Sequence, residues 1–214
     1  MNTLPTYTLP RRARPEEIPV IIALADRVFR AQGGSSMGRE FPRFLAPENA
    51  SNIWIASHGD EIVSMLGVCH RTLLLPHASL AVDMIGAVAT DAQHRGHGLA
   101  GALLDAALAD AHARGVSIVM ISGGRGLYQR RGARYTGALW HGTVPAQTWQ
   151  GWHGAGSLWR PYEPADAPRI FELHTAQSPR FVRVLDELAA VIPAGACGLK
   201  TFTACRNGVP VAYA

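Results

Sequence analysis

The 214-residue sequence contains little lysine and little cysteine. Lys200 is the only lysine among 20 basic residues, so the positive charge is almost all arginine, and the net charge is only +4. No run of five basic residues occurs, and no basic patch alternates with aromatic residues, which argues against nucleic-acid binding. The 3 cysteines are an odd number and form no Cys-x-x-Cys pair, so we interpret them as reduced thiols.

Long hydrophobic runs are missing as well. No apolar stretch reaches the roughly 18 residues that a membrane span requires. The first residues lack the basic start and apolar core of a secretory signal. The histidines do not pair four residues apart and have no carboxylate at metal-ligand spacing, so no metal site is expected. We therefore expect a cytoplasmic protein that binds neither membrane nor metal.

One organised stretch stands out, from Met84 to Gly115. The small apolar residues 85–89 predict a buried strand. Residues 93–98 follow as a loop in which basic side chains alternate with glycines. The pattern then becomes helical from Leu99, and Gly115 occupies the position of a C-terminal cap.

A strand, a glycine loop and a helix N-terminus in this order are suited to bind an anion. The first backbone amides of a helix lack partners, and the helix dipole adds positive potential there. Gly96 and Gly98 remove the Cβ atoms that would keep a pyrophosphate away from the backbone. Arg95, His94 and His97 add donors around the rim. The loop fits neither the Gly-Lys-Ser/Thr phosphate loop nor the dinucleotide fingerprint.

The loop resembles the acyl-CoA-binding segment of the GCN5-related N-acetyltransferase (GNAT) superfamily, whose pattern is Gln/Arg-x-x-Gly-x-Gly/Ala. The pattern occurs in two overlapping registers, residues 93–98 and residues 95–100. Residues 126–132 resemble the Tyr-x-x-x-Gly segment that follows the fifth strand of the family. The resemblance covers about residues 8–145 and implies an α/β (α+β) fold, a central mixed sheet with helices on both faces.

The predicted elements follow the order of that fold. Helices are predicted at 15–29, 40–45, 98–114 and 127–131, and strands at 8–14, 52–57, 62–75, 80–90, 116–122 and 134–144.

The resemblance also implies a coenzyme site. The pantetheine arm of acetyl-CoA, the expected cosubstrate, would lie along the central strand, where Gly86 would permit a bulge. A backbone N–H near Val88 or Ala89 would stabilise the thioester oxygen. The expected coenzyme-binding residues are Ala87, Val88, Ala89, Arg95, Gly96, His97, Gly98, Leu99 and Ala100.

Two residues are candidates for catalysis. Tyr128 occupies the family's general-acid position, and a phenol is protonated at neutral pH. Asp83 lies near the position where some members hold a carboxylate, so it is a candidate general base. The match is displaced by about one residue, and a slip of one residue on a strand turns a side chain to the opposite face. His70, Glu61 and a chain of water molecules are alternatives.

The last third of the chain resembles an incomplete second copy of the first. We expect a GNAT domain over 1–150 and a partial repeat over 151–214. Its helices are predicted at 165–175 and 178–191, and a hairpin at 200–214 turns at Asn207-Gly208. Residues 160–170 echo residues 14–19. The segment is either part of a tandem enzyme or an appendage that closes the acceptor cleft.

The expected activity is N-acetyl transfer from acetyl-CoA to a primary amine of a small molecule or peptide, by direct attack on the thioester. The alternative is a non-catalytic acyl-CoA-binding or regulatory module. The edge of the hairpin at 200–214 would seek another strand. We therefore expect it to pair with the first domain or with a second molecule, and pairing with a second molecule would form a homodimer.

Overall fold

The computed structural model describes residues 7–137, 158–196 and 199–214. The strands are β1 (Arg11–Arg12), β2 (Ile53–His58), β3 (Glu61–Leu75), β4 (Ala78–Thr90), β5 (Ile118–Ile121), β6 (Leu158–Pro161), β7 (Arg180–Phe181), β8 (Phe202–Arg206) and β9 (Val209–Tyr213). The helices are α1 (Ile18–Phe29), α2 (Met37–Glu40), α3 (Leu99–Ala113), α4 (Gly126–Gln129), α5 (Ala167–Thr175) and α6 (Leu185–Ala194). Short 3-10 turns precede several of them.

The main sheet has the strand order β1-β2-β3-β4-β5, with β7 added to the outer part of β3. β4 and β5 are parallel and the other pairs are antiparallel. Helices α1 and α2 cover one face over a core that includes Ile21, Leu24 and Met65. Helices α3 and α4 cover the other face over a core that includes Leu103 and Leu104. The predicted mixed sheet with helices on both faces is confirmed.

Helix α1 begins at a carboxylate that is held by two arginines. Arg11 donates from Nη2 to Oε1 of Glu17 at 2.6 Å and from Nη1 to Oε2 at 2.9 Å. Oε2 of Glu17 also accepts the backbone N–H of Arg14 at 2.8 Å. The acid thereby joins the end of β1 to the 3-10 turn Pro15–Glu17, which continues into α1.

The same arrangement recurs at the start of α5. Arg160 donates to both carboxylate oxygens of Asp166, at 2.7 and 2.6 Å. Asp166 Oδ2 accepts the backbone N–H of Glu163 at 3.0 Å. β6 then pairs with β8, and β8 with β9, as β1 pairs with β2 and β2 with β3. The second segment thus repeats the local structure of the first, with Arg160 in the place of Arg11.

These two acids predict an acid-sensitive stability. The guanidinium of Arg11 lowers the pKa of Glu17 from 4.5 to about 2, and that of Arg160 lowers the pKa of Asp166 from 3.8 to about 2. A lowered pKa in the folded state contributes stability above the unfolded-state pKa that is lost as the pH falls toward the folded-state pKa. We expect the free energy of unfolding to fall between about pH 4.5 and 2, in urea titrations followed by fluorescence.

The matched variants are Glu17→Gln and Glu16→Gln. Glu17→Gln should lower stability at pH 7 and flatten the decrease below pH 4.5. Glu16 is exposed, so Glu16→Gln should show the same pH dependence of the free energy of unfolding as the unmodified protein. An identical acid profile in Glu17→Gln and the unmodified chain would contradict the assignment.

The structure corrects two predicted helices. Helix α2 spans 37–40 rather than 40–45, because the Ser36 side chain caps it and accepts from the Gly38 backbone N–H. The helix predicted at 178–191 begins only at Leu185. Residues 180 and 181 form β7 instead, because they pair with Leu73 and Leu74 at the open edge of β3.

Some predicted strands also differ. The first strand, predicted at 8–14, is reduced to the two residues of β1. The final strand was predicted at 134–144; residues 134–137 are not a strand, and 138–144 lie outside the described residues. The domain boundary predicted at 150/151 lies outside them too. The hairpin β8–β9 pairs with β6 and not with the main sheet, and within the described residues β9 is an edge strand. Its pairing with a second molecule stays a prediction.

Candidate functional site

The central strand β4 carries an extra residue where it passes β3. Met65 pairs with Ala89 and Gly67 pairs with Gly86. One residue of β3 therefore stands opposite the two residues Ala87 and Val88 of β4. Such a bulge bends a strand and increases its twist.

The bulge depends on an alanine rather than on the predicted glycine. Ala87 has a φ of +49°, in the left-handed region, whereas Gly86 has no positive φ. A Cβ at Gly86 would lie 3.6 Å from Cζ of Phe44, an ordinary contact distance, whereas a Cβ at Gly67 on β3 would lie 2.4 Å from the same ring, so it is Gly67 that leaves room for Phe44. The extra residue places Ala87 and Ala89 in the core under α1 and Val88 in the core under α3.

Strand β5 separates from β4 just before the bulge. The ladder between the two strands ends at Ile85 and Ile121, followed by one long bond from the Ser122 amide to the Ile85 carbonyl at 3.4 Å. Beyond it, the Asp91 amide donates back to β3, to the Val63 carbonyl at 2.9 Å. In an antiparallel ladder, successive residues direct their backbone groups alternately toward the partner strand and away from it. Because Asp91 and Ala89 face β3, the backbone N–H of Val88 is directed away from β3, into the gap left by β5.

The glycine loop leads from this gap into α3 with an open backbone. Gly96 has a φ of +85° and Gly98 a φ of +73°, values that glycine adopts without strain. A Cβ built on either glycine meets no atom within 4 Å. Arg95 is exposed and donates from Nε to the Thr90 carbonyl at 3.2 Å, which holds its guanidinium beside the loop.

The backbone amides of this loop are available to a ligand. Among the described residues, the first amide after His94 that donates to the backbone is that of Ala102, to the Gly98 carbonyl at 3.0 Å. The amides of 95–101 therefore point at no backbone acceptor, and those at the start of α3 carry the positive end of its dipole. The predicted residues Leu99 and Ala100 form the first turn of α3, with Leu99 buried beneath it. The geometry fits a diphosphate.

Tyr128 lies in the core under α3, in the apolar cluster against which Val88 of β4 and Ile121 of β5 also pack. Its side chain is 6% exposed and packs with Leu99 and Leu103. Within the described residues its hydroxyl makes no hydrogen bond. Burial raises the pKa of Tyr128 above the ordinary value of 10, against the opposing charge of Arg125. The phenol is therefore protonated at neutral pH, with its donor free.

Helix α4, which carries Tyr128, is fastened to α3 by Arg131. The guanidinium pairs with Asp105, with Nη2 and Oδ2 at 2.8 Å. It crosses α3 above Gly101, where a Cβ would lie 2.8 Å from Arg131 Nη2. Neither the pairing of Arg131 with Asp105 nor its close approach to Gly101 was predicted. A glycine inside a helix is the available signal, since it costs about 1 kcal/mol relative to alanine unless close packing requires it.

The structure places Asp83 away from an open cleft. Its carboxylate is 3% exposed. Arg114, at the end of α3, contacts both oxygens, and Nδ1 of His70 lies 2.6 Å from Oδ1. A carboxylate with two such partners acts as a structural anchor between β4, β3 and α3. This arrangement does not favour a general base.

The predicted alternatives are placed differently. Both ring nitrogens of His70 face oxygen atoms, of Asp83 and of Asn52, the latter at 2.9 Å from Nε2. Glu61 is exposed at the start of β3, beside the turn from β2. Within the described ranges no three histidine, cysteine, aspartate or glutamate side chains group as a metal site.

The second segment packs against the face that carries α2. Helix α6 contacts α2, and its Glu187 pairs with Arg71 of β3 and with Arg183. A cavity of about 450 Å³ remains between β3 and α6. Its charged walls include Arg43 and Asp186. No helix among the described residues is long and apolar enough to cross a membrane.

A family model described as "Acetyltransferase (GNAT) domain" matches residues 10–136. The match contains β4, the glycine loop and Tyr128. No protein of curated function matches the sequence.

Solved structures share the fold at low identity. A probable N-acyltransferase from Enterococcus faecalis has a TM-score of 0.66 and 14% identity, over 97% of this chain and 54% of its own. A GCN5-related N-acetyltransferase from Kribbella flavida has a TM-score of 0.64 and 16% identity, over 93% and 53%. This chain spans about half the length of both. A predicted acetyltransferase from Clostridium acetobutylicum, solved with acetyl-CoA, has a TM-score of 0.54 and 18% identity, over 64% and 96%.

Proposed function

The chain belongs to the GNAT acetyltransferase family, and on that premise we propose that it transfers the acetyl group of acetyl-CoA to a primary amine. Acetyl-CoA is the cosubstrate and supplies the acetyl group as a thioester. The amine acceptor is a small molecule or a peptide. The observation that carries the proposal is the row of free amides at 95–101, which follows the part of β4 that lies beyond its separation from β5.

Each part of the site has a role in acyl transfer. The amides of 95–101 and the guanidinium of Arg95 hold the diphosphate, and the groove along Ala87–Ala89 takes the pantetheine arm. The peptide N–H of Val88 donates to the thioester oxygen as negative charge develops there. Of the two donors expected from the sequence, the ladder favours Val88, because Ala89 is paired with Met65.

Proton transfer completes the reaction. The amine nitrogen attacks the carbonyl carbon, the C–N bond forms and the C–S bond breaks. Tyr128 donates its hydroxyl proton to the departing sulfur, since its donor is free and protonated. Asp83 and His70 are held by other partners, so we assign uptake of the proton lost by the amine to water on the acceptor side, and a proton from water restores the Tyr128 hydroxyl.

A pair of glycine variants tests the proposal. Gly98 and Gly115 share a positive φ, of 73° and 70°, and a Cβ at either would meet no atom within 4 Å. A valine at either position carries the same backbone strain, but only Gly98 lies in the proposed diphosphate site. We expect Gly98→Val to weaken acetyl-CoA binding at least about tenfold in calorimetry, and Gly115→Val to leave it unchanged.

Activity is measured as free thiol released from acetyl-CoA with a panel of primary amines, and the acetylated product is identified by mass spectrometry. Coenzyme binding without thiol release above hydrolysis, across the panel, would contradict an enzyme and favour the regulatory module. Equal binding by both glycine variants would contradict the proposed diphosphate site.

A further inference from the structure

Three histidines and a tyrosine meet beside the glycine loop. The ring centroid of Tyr7 lies 5.4 Å from His58, 5.8 Å from His94 and 5.1 Å from His97. The rings of His58 and His94 are 5.2 Å apart. Tyr7 precedes β1, His58 ends β2, and the other two belong to the loop before α3. We call these four residues the ring cluster.

Within the described residues, most polar atoms of the ring cluster have no hydrogen-bond partner. The Tyr7 hydroxyl and His94 Nδ1 are 3.1 Å apart. Within the described ranges, the ring nitrogens of His58 and His97 have no hydrogen-bond partner and no carboxylate in contact. His97 is exposed and His58 half-buried, so both present free nitrogens beside Gly96 and Gly98.

A positive charge on one imidazole disfavours protonation of its neighbour, and a bound anion offsets this repulsion. Histidine is the side chain that ordinarily titrates between pH 5 and 8. Arg27 and Asp91 are 3.3 Å apart in an ion pair beside the loop. Among the described residues, the other charged groups near the cluster are Arg95 on the loop, Asp60 in the turn after His58, and Glu61, which pairs with His58 at the start of β3. These charges carry both signs.

We propose that His58, His94 and His97 form a protonatable phosphate-binding subsite that takes up protons when a phosphate group of the coenzyme binds. The inference rests on the proposed coenzyme site and adds to it a part outside the loop backbone, since His58 belongs to β2. A phosphate beside the rings favours the imidazolium form, so binding draws protons from solution. By linkage, affinity then increases as the pH falls.

The test is calorimetry with dephospho-CoA and with CoA, at pH 6.5, in buffers of different ionisation enthalpy. The 3′-phosphate of CoA itself titrates near pH 6, as phosphomonoesters do. Dephospho-CoA lacks this group, so any protons taken up with it bind to the protein. We expect an uptake of about 0.3 to 1 proton, and a dissociation constant about 3 to 10 times smaller at pH 5.5 than at pH 7.5.

Variants assign the protons to the cluster. His58→Gln should reduce the uptake, whereas His77→Gln, in the exposed turn between β3 and β4, should not. If His58→Gln does not fold, the exposed His97→Gln replaces it. If the histidine variant takes up fewer protons than the unmodified protein when dephospho-CoA binds, the subsite holds the diphosphate. If the variant differs from the unmodified protein only when CoA binds, the subsite holds the 3′-phosphate.

Two results would overturn the inference. Binding of both ligands with no histidine-dependent uptake would remove the subsite and leave the proposed function intact. Failure of both ligands to bind at any pH would remove the subsite and the coenzyme site together.

Discussion

Replacing Tyr128 by phenylalanine is expected to lower kcat about a hundredfold and to change the KM for acetyl-CoA by less than about twofold. The hydroxyl makes no hydrogen bond within the described residues, while the ring packs in the core under α3. Phenylalanine keeps that packing and removes only the proton donor. The departing thiolate then has to leave unprotonated or take its proton from water. Steady-state thiol release at saturating amine measures the change.

Tyr135→Phe is the matched control. Tyr135 is 77% exposed, and its hydroxyl donates to the Gly124 carbonyl at 3.2 Å. Its replacement should leave kcat unchanged. The pH profile gives a second readout, because activity that requires the protonated phenol must fall as the pH rises through a pKa above 10. An unchanged kcat in Tyr128→Phe would remove Tyr128 from the mechanism.

Asp83→Asn is expected to cost about 2 to 4 kcal/mol of unfolding free energy and to leave kcat of the folded enzyme within a few fold. The carboxylate is buried between Arg114 and His70, at the junction of three elements. The amide leaves Arg114 without an anion at this position. The loss of a buried partner is more costly than the loss of an exposed ion pair. Urea titration measures the stability, and thiol release measures the rate.

Glu172→Gln is the control for an exposed ion pair. The side chains of Arg169 and Glu172 are 43% and 63% exposed, so its loss should cost less than about 1 kcal/mol. A general base would behave differently. If Asp83 took the proton of the amine, Asp83→Asn would lower kcat about a hundredfold at temperatures where the protein remains folded. That outcome would show that Asp83 acts as the general base in spite of its contacts with Arg114 and His70.

The features that follow local rules were predicted from the sequence. The spacing of Gly96 and Gly98 before an apolar helix predicted a loop followed by α3, and the resemblance of residues 126–132 to the family's Tyr-x-x-x-Gly segment predicted the short helix that carries Tyr128; the roles of these residues stay proposals. The predicted range of helix α2, 40–45, began three residues too late, although Ser36 is a residue type that favours the N-cap position and marks the observed start.

Features that depend on distant pairing were missed. The apolar spacing of residues 181–188 resembles a helix, but the open edge of β3 binds residues 180 and 181 as a strand. The left-handed residue of the bulge is Ala87, and an alanine gives no sign of a positive φ. The ring cluster joins Tyr7 and His58 to residues of the loop, which sequence spacing alone does not reveal.

The bulge in β4 also limits how this region of the chain can change in length. Two residues occupy the span that one residue of β3 occupies, so the side-chain alternation changes phase at this point. Removing one of the two residues would turn the bulge into a regular ladder, leave Ala89 and Thr90 opposite Met65 and Ser64, and remove the bend that the bulge gives to β4. A deletion between Gly86 and Ala89 should therefore keep the register with β3 and lose the curvature of β4 beside the proposed groove.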